Sequence, residues 1–592
     1  MSGVATGGFV TSGVWFGPAE RPLLGWCTRP TERPTTSAVV IAPGFGYEYW
    51  SSHRTLRTLA EALAVRGHTV LRFDYDGAGD SSGERWDGGR VAAWRASLGH
   101  AVALLRAGGA ERVTLVGLRL GATFALLDAR ALGADAVVAW VPVLSGKRFA
   151  RELRLLATPV PRDERHPERD GAMVFAGSVL TAETVAELGR LDVEALADRP
   201  APRVLVAARP EQPCDKLADK LRALGADVAL ETLPGMETAL DTPTEDATVP
   251  APIVARIADW IGDAPAAPRD RARGLEIAPH PSATITTSHG TLVERVTEIG
   301  SPRLVAIRAD RQGAAESGRA VVFLNSGSEP HIGPGRAWVD YTRALALAGY
   351  TTFRVDFSGW GESPDRGHAP GRPYDAHCVH EAVGVVEDLR AAGFREVTLA
   401  GLCAGAWVSM RAAQLVAVDR VIAINPQLYW QPGQPVEALL STTRKRRAHE
   451  RAREEAGGRD GSWSMLDAYG FLPPASQWLV RLRRRRTGVL MLFAESDDGL
   501  EYLRNRCRRR LGDELARGYL RVEELGDMDH QMYREWRRAA AIDVMTTFLA
   551  SPSPPAPPSA ADAPRSAPSA SGSAVRTGYR RRRRFPGWPP SR

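Results

Sequence analysis

The sequence predicts an α/β protein made of two tandem domains, each a mostly parallel sheet covered by helices, followed by a disordered C-terminal tail. Three observations predict this architecture. Segments of the first half recur in the second half, short apolar runs alternate with amphipathic stretches, and the composition changes near residue 550. A length of 592 residues suits two such domains, because one domain usually takes about 100–200 residues and α/β domains often take more.

The repeat is clearest in two aligned pairs of segments. Residues 71–81 (LRFDYDGAGDS) match residues 353–363 (FRVDFSGWGES), an offset of 282 residues (354 − 72 = 282). Residues 38–54 align with residues 320–336 at the same offset, without a gap. Two long copies are interpreted as domains, since solenoid repeats are short and occur at least three times.

Composition sets the expected boundaries. We expect a first domain at residues 1–262, a linker at 263–273, a second domain at 274–550 and a tail at 551–592. The linker is rich in Ala, Pro and charged residues. The tail is mostly Ser, Pro, Ala and Arg, with five consecutive arginines at 580–584, and has too few aliphatic residues to offset the entropy lost on ordering.

Each copy alternates predicted strands and helices. In the first copy, strands at residues 38–42 and 68–73 flank a helix at 57–64, which ends before Gly67. The second copy has equivalent elements at residues 321–324, 341–348 and 351–355. Such alternation predicts a parallel sheet with helices on both faces and a ligand site beyond the carboxyl ends of the strands.

The string Gly401-Leu402-Cys403-Ala404-Gly405 gives the strongest functional signal. It follows the apolar run 397–400 and precedes a helical stretch at 406–411. A strand, a Gly-x-nucleophile-x-Gly turn and a helix together form a nucleophile elbow, in which the glycines permit a tight turn and the central side chain stands exposed. Cys403 is therefore the candidate nucleophile.

A thiol nucleophile needs a base that takes its proton and an acid that orients the base. On this type of elbow the order along the chain is nucleophile, acid, histidine. The strand predicted at 488–493 is followed by Asp497, which has the better spacing, and by Asp498, the alternative acid. His530 follows the next predicted strand, at 519–525, and precedes the last helix. The sequence therefore predicts a Cys-His-Asp triad.

The reaction also requires two backbone N–H groups that donate to the oxyanion, one after the nucleophile and one in an early loop. These donors are assigned to Ala404 and to the loop 325–328, with Gly327 as the expected residue. The loop begins with Asn325-Ser326 instead of the usual His-Gly, a change that keeps the amide donors.

The first copy lacks this catalytic set. Its elbow, at residues 117–121, has Arg119 at the nucleophile position, and a guanidinium has no lone pair to offer. Glu211 could mimic the acid, but Thr238 aligns with His530. The first copy is therefore expected to be non-catalytic. It is either a scaffold for the second copy, with Arg119 in an ion pair, or an anion site in which Arg119 faces a carboxylate or phosphate.

Composition and patterning bear on where the protein is found. The chain is 44% hydrophobic and 24% charged, has no apolar run of about 18 residues, and begins without the charged and apolar regions of a signal peptide. Five cysteines, a low and odd number, argue against a disulfide framework. We expect no membrane span and a cytoplasmic location.

The net charge of +7 comes mostly from the tail arginines. Further basic clusters, at residues 444–447, 481–486 and 504–510, are either solvated helix faces or part of a cap that attracts anionic substrates, such as acyl-carrier or CoA-type thioesters. No groove-reading or base-stacking motif indicates nucleic acid.

One cluster of histidine and cysteine residues has the residue types of a metal site. His377, Cys378 and His380 are close in sequence, but adjacent residues are expected to point apart on a helix, and no other Cys/His pair completes four ligands at a usual spacing. We expect neither a metal nor another cofactor.

The two elbows resemble those of known hydrolases. Gly117-Leu118-Arg119-Leu120-Gly121-Ala122 resembles the elbow of one family of exosortase A system-associated hydrolases, and Gly401-Leu402-Cys403-Ala404-Gly405-Ala406 is similar to that of the companion family. Both families belong to the α/β-hydrolase superfamily, among the members that are similar to serine aminopeptidases (S33) and monoacylglycerol lipases. The motif at residues 72–81 and its partner from Arg354 support this resemblance. The cysteine elbow also resembles those of dienelactone hydrolases and of polyhydroxyalkanoate synthases, which transfer acyl chains.

The resemblance implies hydrolase or acyltransferase chemistry on a small ester or thioester. In this fold, insertions such as residues 143–200 and 427–486 usually form a cap over the site. The leading hypothesis is a hydrolase in which Cys403 attacks, His530 transfers the proton and Asp497 orients the imidazole. The alternatives are an acyltransferase with the same acyl-cysteine intermediate and a non-catalytic scaffold or binding protein.

Overall fold

The computed structural model describes most of the chain. The described residues are 4–31, 35–242, 244, 246–263, 275–278, 280–368, 372–428, 475–506 and 508–552. Residues Met1–Pro554 form one compact unit. Nearly all of the predicted linker and tail, and most of the second insertion, lie outside the described residues, and the division into two domains stays a prediction. We call residues 4–263 the first half and residues 275–552 the second half.

The strands are numbered along the chain. Those of the first half are β1 (Val4–Thr6), β2 (Phe9–Phe16), β3 (Leu23–Pro30), β4 (Ser37–Ala42), β5 (Thr69–Phe73), β6 (Arg112–Leu118), β7 (Ala136–Trp140), β8 (Thr158–Pro159), β9 (Met173–Phe175), β10 (Ser178–Leu180), β11 (Arg203–Ala208) and β12 (Asp227–Thr232). Those of the second half are β13 (Ser282–Thr287), β14 (Gly290–Ile299), β15 (Leu304–Arg311), β16 (Arg319–Phe323), β17 (Thr351–Val355), β18 (Glu396–Leu402), β19 (Arg420–Ile424), β20 (Gly488–Ala494) and β21 (Leu520–Leu525).

The helices are numbered in the same way. They are α1 (Tyr47–Val65), α2 (Arg90–Ala107), α3 (Leu120–Asp128), α4 (Gly146–Leu156), α5 (Ala182–Leu188), α6 (Asp215–Ala223), α7 (Glu237–Leu240), α8 (Ala251–Gly262), α9 (Ala337–Leu347), α10 (Ala376–Ala391), α11 (Ala404–Ala412), α12 (Ala475–Arg484), α13 (Asp498–Arg506), α14 (Arg508–Ala516) and α15 (Arg538–Ala550). Among the described residues, no helix is long and apolar enough to cross a membrane.

The two large sheets have nine strands each and the same strand order. The first runs β1-β2-β3-β5-β4-β6-β7-β11-β12, and the second runs β13-β14-β15-β17-β16-β18-β19-β20-β21. In each sheet the first three strands pair antiparallel and the other six pair parallel. The predicted mostly parallel α/β fold is therefore confirmed, and the antiparallel strands at one edge of each sheet are an addition to it.

Most predicted elements coincide with observed ones, and their ends differ. The strand predicted at residues 351–355 is β17, whereas the helix predicted at 57–64 is the longer α1. The first turns of α1 bury Ser51 and Ser52, which are polar residues and therefore hide the apolar period. In the first insertion, α4, a small sheet of β10, β9 and β8, and α5 follow one another.

Apolar side chains pack on both faces of each sheet, as expected for parallel strands. Along β4, Val40 packs in a cluster with Leu98 on one face, and Ile41 packs with Leu59 and Ile257 on the other. The second sheet has the same arrangement, in which Val322 and Val321 of β16 lie in different clusters. Because both faces are covered, the carboxyl ends of the strands and the loops that follow them are the places left for a site.

Two buried ion pairs join the halves in a reciprocal arrangement. Arg72 Nη2 lies 2.6 Å from Glu362 Oε2, and Arg354 Nη2 lies 2.9 Å from Asp80 Oδ1. Arg354 is the counterpart of Arg72, and Glu362 is the counterpart of Asp80, at the same offset (354 − 72 = 362 − 80 = 282). Each half therefore gives an arginine to the acid of the other half, as in the interface of a two-fold symmetric dimer.

His331 adds a third positive charge to this interface. Its Nε2 lies 2.7 Å from Asp80 Oδ2 and its Nδ1 lies 2.6 Å from Asp356 Oδ2. Burial lowers the pKa of His331, but the charges of Asp356 and Asp80 outweigh burial and hold the pKa well above its ordinary value of 6.5. In the first half the counterpart is Tyr49, whose hydroxyl donates to Asp74 at 2.5 Å. The imidazolium is therefore particular to the second half.

Removing the carboxylate of Asp80 should destabilise the protein strongly. The substitution Asp80→Ala leaves Arg354 and His331 buried without a shared partner, and breaking such a pair costs about 3–5 kcal/mol. We expect the free energy of unfolding in urea to fall by that amount. The control Asp219→Ala breaks an exposed pair with Arg222 and should change it by about 0.5 kcal/mol or less. Equal effects of the two variants would contradict the structural role of the interface.

Candidate active site

The backbone at Cys403 has the geometry of a nucleophile elbow. Cys403 has φ 53° and ψ −106° between the end of β18 and the start of α11. A positive φ is uncommon for a residue with a side chain, so its neighbours must hold the turn. A Cβ added to Gly401 would lie 2.3 Å from the carbonyl carbon of Gly405, and one added to Gly405 would lie 2.5 Å from the Asn325 oxygen. Close backbone contact therefore requires both glycines.

His530 lies between Asp497 and Cys403. Nδ1 of His530 is 2.6 Å from Oδ2 of Asp497, and the imidazole also interacts with the side chain of Cys403. The other oxygen of Asp497 accepts the N–H of Gly499 at 2.8 Å. Asp498, the alternative acid, begins α13. The structure thus brings together the three side chains that the sequence singled out.

The surroundings of His530 favour its charged form. Burial lowers the pKa of His530, but hydrogen bonds to Asp497 and Cys403 and the negative charges of both outweigh burial and raise the pKa to about 10. Because 34% of the His530 side chain is exposed, water screens part of this effect. An imidazolium beside Cys403 stabilises the thiolate, which is the form that attacks a carbonyl carbon.

Asn425 ties the loop of His530 to the sheet, a role that the sequence did not reveal. It follows β19, is fully buried and has φ 44°. Its Nδ2 donates to the carbonyl oxygen of His530 at 2.8 Å, and its Oδ1 accepts the N–H of Ala494 at 2.7 Å. The available signal was an asparagine directly after a buried strand, because asparagine tolerates a positive φ better than most residues. The first half has Val141 there, also at positive φ.

Tyr374 is a second residue that sequence reasoning missed. It precedes α10, is 1% exposed, and has its hydroxyl 3.3 Å from Cys403 Sγ. Its ring packs against Trp407 of α11, with 5.5 Å between ring centroids, and this contact restricts the hydroxyl. A phenol O–H in this position can donate to a thiolate. No motif marks the position, since Tyr374 lies 29 residues before Cys403.

The two predicted oxyanion donors lie on different elements. Ala404 opens α11, where helix geometry gives an N–H no intrahelical acceptor. Gly327 is half-buried, with φ 56°, in the loop after β16. Asn325 secures this loop, because its Nδ2 donates to the Glu329 carbonyl oxygen and to Asp356 Oδ1, both at 2.9 Å. The residue that replaces the usual histidine therefore holds the loop in place.

The first half has the same turn with a different side chain. Arg119 has φ 54° and ψ −113°, close to the values at Cys403. Its Nε donates to Glu48 Oε1 at 2.6 Å, and its Nη1 donates to Gln212 Oε1 at 3.3 Å. The structure therefore contains the ion pair expected for Arg119, and an anion site at this residue stays a prediction.

Strand register makes Gln212, and not Glu211, the structural equivalent of Asp497. The N–H after β7 donates to the Ala207 oxygen, and the N–H after β19 donates to the Leu492 oxygen, so Ala207 and Leu492 are equivalent. Five residues further along the chain are Gln212 (207 + 5 = 212) and Asp497 (492 + 5 = 497). Glu211 is exposed. The sequence suggested Glu211 because it is the carboxylate residue that follows this strand, and no shared motif fixes the register here.

His377 and Cys378 are in contact, contrary to the expectation that they point apart. Cys378 Sγ lies 3.3 Å from His377 Nε2, and the His377 ring stacks on His368 with 4.0 Å between centroids. His380 is exposed on the same helix. In the part of the chain that the structure describes, no three His, Cys, Asp or Glu side chains are grouped to hold a metal ion.

Comparison with known proteins finds a similarity to a hydrolase family in the second half. Residues 321–548, which include Cys403, Asp497 and His530, match the model of the Alpha/beta hydrolase family. This match supports an enzyme of the hydrolase type. No curated protein matches the chain.

Several solved structures resemble part of the chain. Est1E from Butyrivibrio proteoclasticus with bound ferulic acid is 17% identical and covers 42% of this chain and 96% of its own, with a TM-score of 0.33. Brefeldin A esterase, a bacterial homologue of human hormone-sensitive lipase, is 20% identical and covers 44% and 78%, with a TM-score of 0.30. Dienelactone hydrolase from Anabaena variabilis is 12% identical and covers 43% and 96%, with a TM-score of 0.29. At such identities the likeness concerns the fold alone.

Iodoacetamide should alkylate Cys403 rapidly at pH 6–7, because the raised pKa of His530 keeps the imidazolium present well above neutral pH. In His530→Gln the rate at pH 7 should fall at least about tenfold and should then rise with pH, as for an ordinary thiol that ionises near pH 8.5. Mass spectrometry of the Cys403 peptide measures both profiles. Buried Cys214 is the internal reference for a slow thiol. Identical profiles for the two proteins would contradict the charge pairing.

Proposed function

We propose that the second half hydrolyses small esters or thioesters through a triad of Cys403, His530 and Asp497. The observation that carries the proposal is the unbroken contact from the thiol through the imidazole to a buried carboxylate. The strained turn at Cys403 supports it, because such a turn presents a side chain at the top of the sheet. The order nucleophile, acid, histidine along the chain supports it further.

In the first step, the Cys403 thiolate attacks the carbonyl carbon and a C–S bond forms. The electron pair of the carbonyl moves to oxygen, where the N–H groups of Ala404 and Gly327 are proposed to donate to it. Collapse of this intermediate breaks the bond to the alcohol or thiol group, which leaves with the proton of His530. The products are acyl-Cys403 and the free alcohol or thiol.

In the second step, neutral His530 takes a proton from water as the water oxygen attacks the acyl carbon. The new intermediate collapses, the C–S bond breaks, and the carboxylic acid leaves. Cys403 is again a thiolate beside a protonated His530. Asp497 keeps the Nδ1–H of the ring oriented throughout, and Tyr374 donates to the sulfur when it carries charge.

The first half is proposed to be a non-catalytic copy that arose by duplication. The common strand order and the offset of 282 residues support duplication. Arg119 cannot attack a carbonyl carbon. Thr238, aligned with His530, uses its hydroxyl to donate to the Gly235 carbonyl oxygen at 2.9 Å. We also propose that the two halves are related to the exosortase A system-associated hydrolases, whose elbows they resemble.

The substitution Cys403→Ala should abolish turnover of p-nitrophenyl acetate and of acyl-thioesters, including CoA and acyl-carrier thioesters. We expect kcat/KM to fall by about 10³ or more, because the nucleophile is removed while the fold is kept. Circular dichroism checks folding, and Cys214→Ala, in the core of the first half, is the matched thiol control. Unchanged turnover in Cys403→Ala would refute the triad.

The fate of the acyl group separates hydrolase from acyltransferase. Adding alcohol or amine acceptors to the acyl-enzyme should leave release to water as the faster path. Faster transfer to an acceptor would establish the acyltransferase alternative. A Cys403 thiol no more reactive than a free cysteine would favour the non-catalytic alternative.

The substitution Tyr374→Phe should lower kcat about tenfold with little change in KM, since one hydrogen bond to the charged sulfur is lost and the substrate contacts remain. Alkylation of Cys403 at pH 7 should slow in parallel. Tyr341→Phe is the matched control, because the Tyr341 hydroxyl is buried in the same half and has no hydrogen-bond partner among the described residues. Equal kcat values for the two variants would remove Tyr374 from the mechanism.

A further inference from the structure

A cavity in the first half lies where an α/β sheet usually binds its ligands. The loops that follow β4 (residues 44–46) and β5 (residues 75–79) form its floor, at the carboxyl ends of two parallel strands. The enclosed space of the cavity measures ≈ 50 Å³, and the cavity continues from there to an open mouth. Its lining includes neither Arg119 nor the proposed triad, so it is separate from both elbows.

Aromatic side chains form much of the cavity wall. They are Phe45, Tyr49, Trp50, Tyr75 and Trp94. Phe45 packs against Trp94 with 5.1 Å between ring centroids, and Tyr49 packs against Trp50 with 4.9 Å. Rings fixed in this way offer a large apolar surface to a flat or short aliphatic group.

The first insertion and the second half close the cavity together. Residues 177–179, at the β9–β10 hairpin, line one side, and Gly335 and Arg336 of the second half line another. The two walls touch, because a Cβ added to Gly177 would lie 2.3 Å from the Gly335 Cα. The cavity therefore depends on the contact between the halves.

Basic side chains outnumber acidic ones on the wall. Arg85, Arg90 and Arg336 line the cavity, and Asp76 is the one acid among the lining residues. Asp76 is already engaged, since its Oδ1 lies 2.7 Å from Arg90 Nη1. Arg85 and Arg336 both contact Asp340, which lies outside the wall.

Arg336 has the least balanced charge of the three arginines. Its guanidinium donates to the carbonyl oxygens of Gly79 and Ser81 at 2.7 and 2.8 Å. The nearest oxygen of Asp340 is 3.5 Å away, and two other arginines contact the same carboxylate. Burial and the positive charge of Arg343 lower the pKa of Arg336 to about 10. An anion at this wall would therefore be strongly stabilised.

We propose that this cavity binds a small carboxylate with an aromatic or short aliphatic body, without reacting with it. The rings cover the body of the ligand, while Arg336 and Arg85 face the carboxylate in a region of low dielectric. The proposal does not rest on activity in the second half. It differs from an anion site at Arg119, whose charge is balanced by Glu48.

Titration calorimetry of the full chain, with Cys403 alkylated by iodoacetamide, tests the proposal. Benzoate and hexanoate should bind, and benzyl alcohol and hexanol, which lack the charge, should bind at least about tenfold more weakly. Phenyl phosphate distinguishes a carboxylate site from a phosphate site. Equal binding of the uncharged analogues, or tighter binding of phenyl phosphate than of benzoate, would overturn the assignment.

Two variants locate the site. Arg336→Gln removes the charge and Ser178→Trp puts a large ring into the lining of the cavity, so each should weaken benzoate binding at least about tenfold. The control Arg222→Gln changes an exposed arginine and should bind benzoate as the unaltered chain does. Thermal melting checks folding, and if Arg336→Gln does not fold, Ser178→Trp decides alone. Unchanged binding in Ser178→Trp, or loss of binding on alkylation of Cys403, would overturn the proposal.

Discussion

A turn with positive φ between a strand and a helix is the constraint on which both elbows depend. In the first half, a Cβ on Gly117 would lie 2.3 Å from the Gly121 oxygen, and one on Gly121 would lie 2.3 Å from the Ala42 oxygen. The same close contacts surround Cys403. Arg119 keeps this strained backbone although it is not a nucleophile. The packing of strand, turn and helix therefore maintains the turn, whether or not the central side chain can react.

The interface between the halves shows a second constraint of the same kind. Its reciprocal arginine–acid pairs are buried, so each charge needs its partner across the interface, and only one mutual register satisfies both. That register also brings Gly335 against Gly177 and so shapes the cavity wall. The pairs therefore determine where a ligand can bind in the first half as well as how the halves join.

Sequence reasoning was strongest where a side chain lies at a fixed place relative to the end of a strand. Cys403, Asp497 and His530 were found in this way, because residue type and element end point to the same position. Tyr374 and Asn425 carry no motif, and only folding brings them to the site. The residues that contact or position the proposed triad are therefore the ones that a single sequence does not reveal.

One of the antiparallel strands, β14, was hidden for a physical reason. Glu294 lies in β14 and is fully buried, where Arg343 and Arg354 pair with both of its oxygens at 2.8 and 2.9 Å. A buried charge on an inward position breaks the apolar alternation by which a strand is recognised. Its partners come from other elements, so nothing in the local sequence indicates that this charge is satisfied.

The two elbows differ in whether the central side chain has a partner that can exchange a proton. In the proposed mechanism, the partner of Cys403 accepts and returns a proton, and His530 suits this role because it has an exposed edge and a buried carboxylate as its hydrogen-bond partner. At Arg119, a permanent pair with Glu48 neutralises the charge of the guanidinium, and no proton has to move. The side chains of Arg119 and Glu48 are 6% and 18% exposed. Replacing Arg119 by cysteine would leave Glu48 largely buried without its cation and would supply neither base nor acid, since Thr238 and Gln212 occupy those positions. Catalysis at the first elbow would thus require several coordinated substitutions, because the ion pair would also have to be replaced.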